Sequence, residues 1–404
     1  MISDIKYPDK YSFIGNPMRV EFKGDSAEEI IIYIKIGDKD IIDLSVVLFG
    51  NESDYKGSAD ISKILVPFFK KYEPYIGAIF YSLKDFELDY SLKITDIKNN
   101  VLDDFSGKAF RGGLNSETYA QLRTWGEDMF SHRLVGIGRQ FLFTTRTNSR
   151  NIVLRETEMY PFVFIHPGVP IKLITSSGKI LIPEIFPENT ICTFDVCAAR
   201  KAIFSAYMEM PSFFVVSIDN KSIFEITLVP NQLSNENYLL RFKNSLGAYE
   251  QIEVVGKAND YTTYLEEDIW MSFNKLGFYE EKRSRMASRD GLIVQTGYKS
   301  KDELNHLKDL IKSDEIYFID TNDKIETLHP CLITPNEMKV PRQIKEPHSV
   351  ELTVRLIWDN KYESPELLHE YPEDYTFQNI TASGRPQLNA EGFIYADDYA
   401  LYAE

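Results

Sequence analysis

Apolar and polar residues alternate with a period of two along much of this chain, and no other feature constrains the fold as strongly. In residues 86–95 one side of the extended chain carries Phe86, Leu88, Tyr90, Leu92 and Ile94, and the other side carries polar residues. Residues 350–358 repeat the pattern, and isoleucine occupies every second position from Ile30 to Ile36. This is the period of a strand with one buried face. The chain is therefore predicted to be mostly β.

Short turn-forming sequences divide the apolar runs from one another. Gly37-Asp38, Ser176-Ser177-Gly178 and Asp219-Asn220 each stand between two such runs, and each predicts a hairpin turn. Aromatic residues make up 13% of the chain, which also favours strands. Strands at short intervals with turns between them indicate several antiparallel β-sandwich or barrel domains.

Two segments predict helices. Ser300-Lys-Asp-Glu303 matches a capping box, and Leu304, Leu307 and Ile311 follow at helical spacing. We expect one capped helix over about 300–312, packed on a C-terminal antiparallel sheet. A shorter helix is expected over residues 58–69, where Pro67 should end or distort it.

The length and the composition predict several domains and an arm. A chain of 404 residues is long enough for two or three cores. We expect a β domain over 1–130, a β-sandwich over 131–260, and a ring-forming module of sheet and helix over 261–358. Residues 359–404 contain ten acidic and two basic residues, and are predicted to form an extended acidic arm. Its six tyrosines fit an interface or simple exposure equally well: Tyr362, Tyr371, Tyr375, Tyr395, Tyr399 and Tyr402.

Charge and hydropathy exclude some classes of partner. The net charge of −16 disfavours direct binding to nucleic acid, and no run of Lys or Arg exceeds two residues. The first ten residues lack the apolar stretch of a signal peptide, and no apolar run is long enough for membrane insertion. We expect synthesis in the cytoplasm. Cys192, Cys197 and Cys331 lack the spacing of a zinc site and are predicted to be free thiols.

Motifs that would indicate chemistry are incomplete. Gly136-Ile-Gly138 is followed by a strand-like run, whereas a dinucleotide-binding loop must open a helix. Gly178-Lys179 lacks the other residues of a phosphate loop and fits a hairpin turn. Oxygen ligands for calcium occur close together but without the spacing of a calcium loop, so a polar hairpin tip explains them better: Asp320, Asn322, Asp323 and Glu326.

No catalytic, cofactor-binding or metal-binding residue is assigned from the sequence, and the chain is predicted not to be an enzyme. The histidines show no metal-binding pair: His132, His166, His306, His329, His348 and His369. Two alternatives stay open. A glycosidase needs only two carboxylates brought together by the fold, and exposed aromatic rings could stack on host-surface glycans.

Several segments resemble structural proteins of phages and prophages of Bacteroidetes-type bacteria. Residues 13–18 resemble an F-x-G-N-P opening, and residues 238–249 resemble a segment of the form apolar-Arg-aromatic-x-Asn-x-x-Gly-x-aromatic. Residues 295–317 resemble their strand, capped helix and strand, and residues 393–399 resemble their C-terminal ending. These segments span the whole chain in order.

The resemblance implies a virion component, similar in role to a distal tail protein or another tail-tip, baseplate or connector subunit. It implies assembly into a ring-type homo-oligomer and contacts with other tail or neck proteins. It transfers no catalytic residue and no cofactor to this chain.

Overall fold

The computed structural model describes residues 2–37, 39–51, 54–125, 142–146, 151–218, 220–230, 237–255, 259–265, 269–273, 276–283, 286–299, 301–320, 328–334 and 349–360. These residues form mostly strands in several sheets whose neighbours pair largely antiparallel, which confirms the predicted mostly β fold class. Contacts divide the chain into two units. One contains Met1–Tyr264 and Arg289–Asp359, and the other contains Leu265–Ser288 and Asn360–Glu404.

Two sheets form an N-terminal sandwich. The strands in this part of the chain are β1 Ile2–Lys6, β2 Tyr11–Phe13, β3 Arg19–Gly24, β4 Glu29–Ile36, β5 Lys39–Val47, β6 Phe49–Asn51, β7 Asp54–Asp60, β8 Phe80–Ser82, β9 Glu87–Asp96 and β10 Val101–Phe110. All of them except β8 belong to the sandwich, and β8 belongs to a sheet described below. The strand orders are β1-β3-β7-β6 and β2-β10-β9-β4-β5. Both sheets contribute to one apolar core, in which Ile30, Ile32 and Ile34 of β4 face Val20 and Phe22 of β3. The alternation in β4 therefore marks a buried face, as predicted.

A second pair of sheets follows. Its strands are β11 Asn151–Arg155, β12 Phe162–His166, β13 Ile171–Thr175, β14 Ile180–Leu181, β15 Thr190–Phe194, β16 Phe213–Ile218 and β17 Lys221–Val229. The orders are β11-β17-β16-β13-β14 and β12-β15-β8. The predicted turns at 176–178 and 219–220 connect the antiparallel pairs β13–β14 and β16–β17, although Asp219 itself lies outside the described residues.

The remaining strands are β18 Asn237–Lys243, β19 Tyr249–Val255, β20 Asn259–Tyr264, β21 Ile269–Phe273, β22 Tyr279–Arg283, β23 Ser288–Gln295, β24 Ile316–Asp320, β25 Leu328–Ile333 and β26 Glu351–Asn360. Seven of them form one sheet in the order β19-β18-β24-β25-β26-β23-β20, and β21 and β22 form a separate hairpin. A helix over Lys301–Lys312 buries Leu304, Leu307 and Leu310 in the core of the seven-stranded sheet. This confirms the predicted helix, while its cap residue Ser300 lies outside the described residues.

The other helices differ from the sequence prediction. Numbered along the described part of the chain, they are α1 Ser62–Leu65, α2 Ser116–Trp125 and α3 Val196–Tyr207, so that Lys301–Lys312 is α4. The helix predicted from residue 58 was wrong at its start, because β7 continues to Asp60. Pro67 lies in a 3-10 turn that replaces the α-helix after α1, as its ring predicts. The helices α2 and α3 were not predicted, although Asp195 caps α3 by accepting a hydrogen bond from the Ala198 amide.

The predicted domain boundaries stay predictions. The boundary near residue 130 and the arm beyond residue 360 lie outside the described residues. The boundary predicted near residue 260 would divide the seven-stranded sheet, since β18 and β19 precede it and β23 to β26 follow it. Among the helices of the described residues, none is long and apolar enough to cross a membrane.

Candidate functional site

The motif near the start of the chain lies at a close backbone contact between distant segments. The Gly15 amide donates to the carbonyl of Gly112 at 2.8 Å, so the two backbones touch. The Asn16 side chain donates to the Leu114 carbonyl at 3.0 Å and accepts from the Leu114 amide at 2.8 Å. Asn16 therefore pairs with residue 114 as a strand residue would, and holds residues 13–16 against residues 110–114.

Two further glycines complete this contact, which we call the glycine junction (Gly15, Gly112 and Gly247). Gly112 has a φ of +81°, and a Cβ at this position would lie 2.5 Å from the Gly247 nitrogen and 2.6 Å from Leu246 Cα. Gly247 has a φ of +86°, and a Cβ at this position would lie 2.5 Å from Arg111 Cβ and 2.6 Å from the Arg111 carbonyl carbon. A side chain would collide with backbone at both positions. The junction therefore depends on the close approach of two backbones.

Asn244 organises the third segment of the junction. Its side-chain oxygen accepts from the amides of Leu246 and Ala248, both at 3.0 Å, which shapes the turn that carries Gly247. Its amide nitrogen donates to the Phe143 carbonyl at 2.9 Å. The residue is fully enclosed, so each of these bonds satisfies a polar group that water cannot reach. The asparagine and the glycine of the second resembling motif thus have backbone-packing roles.

A cluster of buried charges lies beside the junction. The Glu158 carboxylate lies 3.0 Å from Arg146 Nη1, 3.6 Å from Lys299 Nζ and 4.0 Å from Arg155 Nε. It also accepts from the Glu253 amide of β19 at 2.7 Å. Burial alone would raise the pKa of Glu158, but Arg146, Lys299 and Arg155 outweigh it and lower the pKa to about 2. The carboxylate is therefore ionised at neutral pH.

A second carboxylate shares Arg146. Glu250 lies 3.2 Å from Arg146 Nε and accepts from Thr144 Oγ1 at 2.9 Å. Burial raises the pKa of Glu250, because these partners offset its desolvation only in part. His306 of α4 lies 3.8 Å from Glu250, and burial with the positive charge of Arg146 holds the pKa of His306 well below its ordinary value. The imidazole is neutral at physiological pH.

The buried charges connect three parts of the fold. Arg146 belongs to the segment before β11, and Glu158 belongs to the 3-10 turn after β11. Arg155 at the end of β11 reaches Glu303 of α4 at 3.3 Å. Glu158 and Glu250 are a pair of carboxylates with pKa values moved in opposite directions, which an acid–base site also requires. However, their side chains are only 1% and 3% exposed, so no substrate reaches them in this structure.

The other residues considered from the sequence are dispersed. Residues 136–138, 322, 323 and 326 lie outside the described residues, as do His132, His348, His369 and the tyrosines of the arm. His166 is enclosed by the rings of Phe80, Phe164 and Phe186, and His329 lies in β25. Cys192, Cys197 and Cys331 are free thiols, as predicted. Within the described part of the chain, no group of three or more His, Cys, Asp or Glu side chains is placed to hold a metal ion.

The hairpin of β21 and β22 has an unusual surface, which the sequence analysis missed. Five of its large apolar side chains are between 47% and 67% exposed: Ile269, Trp270, Met271, Phe273 and Tyr279. Large apolar side chains that are exposed together on a protein surface are typical of an interaction site. The sequence contained a signal for it. In β21 the apolar residues occupy both faces of the strand, whereas a half-buried strand alternates.

Comparisons with known proteins do not assign this chain to a family. No family model matches it, and no curated protein matches it. One solved structure with some similarity is the full extracellular region of plexin A4, domains 1 to 10. The identity is 10%, the match covers 90% of this chain and 34% of that chain, and the TM-score is 0.17. This chain therefore spans about a third of the length of the plexin chain, and a TM-score this low supports no argument about fold or function.

Proposed function

We propose that this chain is a non-enzymatic structural component of a bacteriophage virion and belongs to its tail, as a tail-tip, baseplate or connector subunit. The observation that carries the proposal is the convergence of motif segments on the glycine junction. Residues 13–16 and 244–247 belong to the segments that resemble phage structural proteins. Each of these two stretches contains a glycine whose backbone contacts residues 111–113 at the junction. The resemblance and the packing thus point to residues with an architectural role.

The stability of the fold also suits a virion subunit. All three cysteines are free, so the fold is held by its apolar cores, the glycine junction and the buried charges. Such a subunit can fold in the bacterial cytoplasm and then enter the particle. The apolar hairpin gives it a surface that assembly would cover. We propose that its partners are other copies of the chain, in a ring, and other tail or neck proteins.

Co-expression tests this assembly role directly. The chain is purified alone and together with the products of the neighbouring reading frames, and each sample is analysed by light scattering and negative-stain electron microscopy. We expect rings, or a stable complex with at least one neighbouring product. A chain that stays monomeric and binds none of these products would contradict the proposal.

Glycan recognition on a host surface is a second candidate function, and one observation favours it. Tyr75 and Tyr81 are both exposed, and their rings stack with centroids 4.7 Å apart. Exposed aromatic faces can bind sugar rings. If this pair binds glycan, Tyr81→Ala should abolish binding on an array of host polysaccharides, while Tyr264→Ala, which alters another exposed tyrosine, should preserve it. An array on which the unmodified chain binds no polysaccharide would remove this candidate.

A further inference from the structure

The two edges of the apolar hairpin differ in charge. The strand β22 (Tyr279–Arg283) carries Glu280, Glu281, Lys282 and Arg283, whereas β21 (Ile269–Phe273) carries no charged residue and no proline. Charged side chains and prolines are the usual means by which a sheet edge avoids pairing with another chain. The edge of β22 is protected in this way. The edge of β21 has no such protection.

The register of the hairpin places charges on both of its faces. Met271 stands opposite Glu281 and Ile269 stands opposite Arg283, so the face that carries these apolar side chains also carries two charges. On the other face, Trp270 stands opposite Lys282. A partner or a lipid surface that covered either whole face would bury these charges at a considerable cost. Pairing along the edge of β21 leaves all of β22 in water.

We propose that the edge of β21 pairs antiparallel with β21 of a second copy of this chain, about a two-fold axis at Met271. The sequence Ile269-Trp-Met-Ser-Phe273 complements itself in this register. Ile269 of each copy would stand opposite Phe273 of the other copy, Trp270 opposite Ser272, and Met271 opposite Met271. Every cross-strand pair is then free of charge, and the apolar pairs stabilise the four-stranded sheet. Pairing of β22 with itself about Glu281 would instead place two carboxylates together.

This inference deepens the proposed assembly function and rests on it, but the two can fail separately. A two-fold contact closes on itself and yields a pair of subunits. A ring would therefore need a second surface. If β21 does not pair, the chain can still belong to the particle through other contacts, and its co-purification with tail proteins would show that.

Substitution at the two-fold axis is the first test, performed on the full chain by sedimentation over a range of concentrations. In Met271→Lys the introduced ammonium faces Glu281 across the hairpin, which favours folding of the hairpin itself. Between the two copies, however, the ammonium groups stand directly opposite. We expect the dissociation constant of the dimer to rise on the order of tenfold or more. The matched control is Met208→Lys, at an exposed methionine after α3, which should leave the constant unchanged.

Cross-linking then tests the register. Cysteine at position 271 should form a disulfide between copies under mild oxidation, because residue 271 would face itself across the axis. Cysteine at position 269 should not, since residue 269 would face residue 273. Four results would overturn the proposal: a monomer at all concentrations, a dimer unaffected by Met271→Lys, efficient cross-linking through Ile269→Cys but not Met271→Cys, or flotation with phosphatidylglycerol vesicles that Met271→Lys abolishes. The last result would assign the hairpin to a lipid surface.

Discussion

Gly112→Ala should strongly lower the free energy of unfolding of this chain. The new methyl group would lie 2.5 Å from the Gly247 nitrogen and 2.6 Å from Leu246 Cα, and both are backbone atoms that cannot rotate away. The left-handed backbone at φ +81° costs a further ~1–2 kcal/mol for any residue with a Cβ. Together with an overpacking cost of ~1–3 kcal/mol, we expect a loss of about 2–5 kcal/mol in the free energy of unfolding.

Gly178→Ala is the matched control for this prediction. Gly178 has the same φ of +81°, but nothing lies within 4 Å of the position that its Cβ would occupy. It should therefore lose only the conformational cost, about 1–2 kcal/mol. Urea denaturation of the two variants and the unmodified chain measures the difference. Equal losses in the two variants would show that the backbones at the junction do not approach each other as closely as described.

Glu158→Gln should lower the free energy of unfolding by a similar amount. The substitution keeps the shape of the side chain but removes the negative charge that Arg146, Lys299 and Arg155 share. Removing one partner from a buried ion pair leaves the others uncompensated and costs about 3–5 kcal/mol. Glu156→Gln is the control, because Glu156 is 45% exposed and binds Arg200 at 2.8 Å near the surface. We expect the control to lose less than about 1 kcal/mol in urea denaturation.

The same pair of variants gives a pH dependence with a definite sign. The pKa of Glu158 is about 2 in the folded chain, below the ordinary value of 4.5 that applies to the unfolded chain. Glu158 therefore contributes stability that is fully present above pH 4.5 and is lost as the pH falls towards 2. The stability of Glu158→Gln should fall less steeply over that interval than the stability of Glu156→Gln. Parallel curves would show that Glu158 is not held in its ionised form.

The sequence predicts the β architecture well because a period of two is a local signal. Ile30, Ile32 and Ile34 lie on the buried face that the alternation indicated, and Leu304 and Leu307 anchor the predicted helix. The residues around Gly15 resemble a known motif, but the sequence does not predict what Gly15 contacts. That role depends on a contact with Gly112 and Gly247, and no local pattern encodes which distant backbones meet.

The buried charges and the hairpin were harder to predict for the same reason. Three of the buried charges come from separate parts of the chain: Arg146, Glu158 and Lys299. In the sequence, each of them has the polar and charged neighbours that an ordinary surface residue would have. The apolar residues of β21 read as a core strand, because sequence does not show whether another layer covers them. In the fold these side chains are exposed, because no other layer of the described residues packs over them.

We propose that this chain is part of a phage particle, and the composition of the particle tests this proposal most directly. Particles released from the source bacterium are purified on a density gradient, and each fraction is analysed by quantitative peptide mass spectrometry. We predict that this chain follows the tail-tube protein through the gradient at a constant copy ratio, and stays with tails that have separated from heads. Its absence from the particle fractions, with recovery only in the soluble lysate, would contradict the claim.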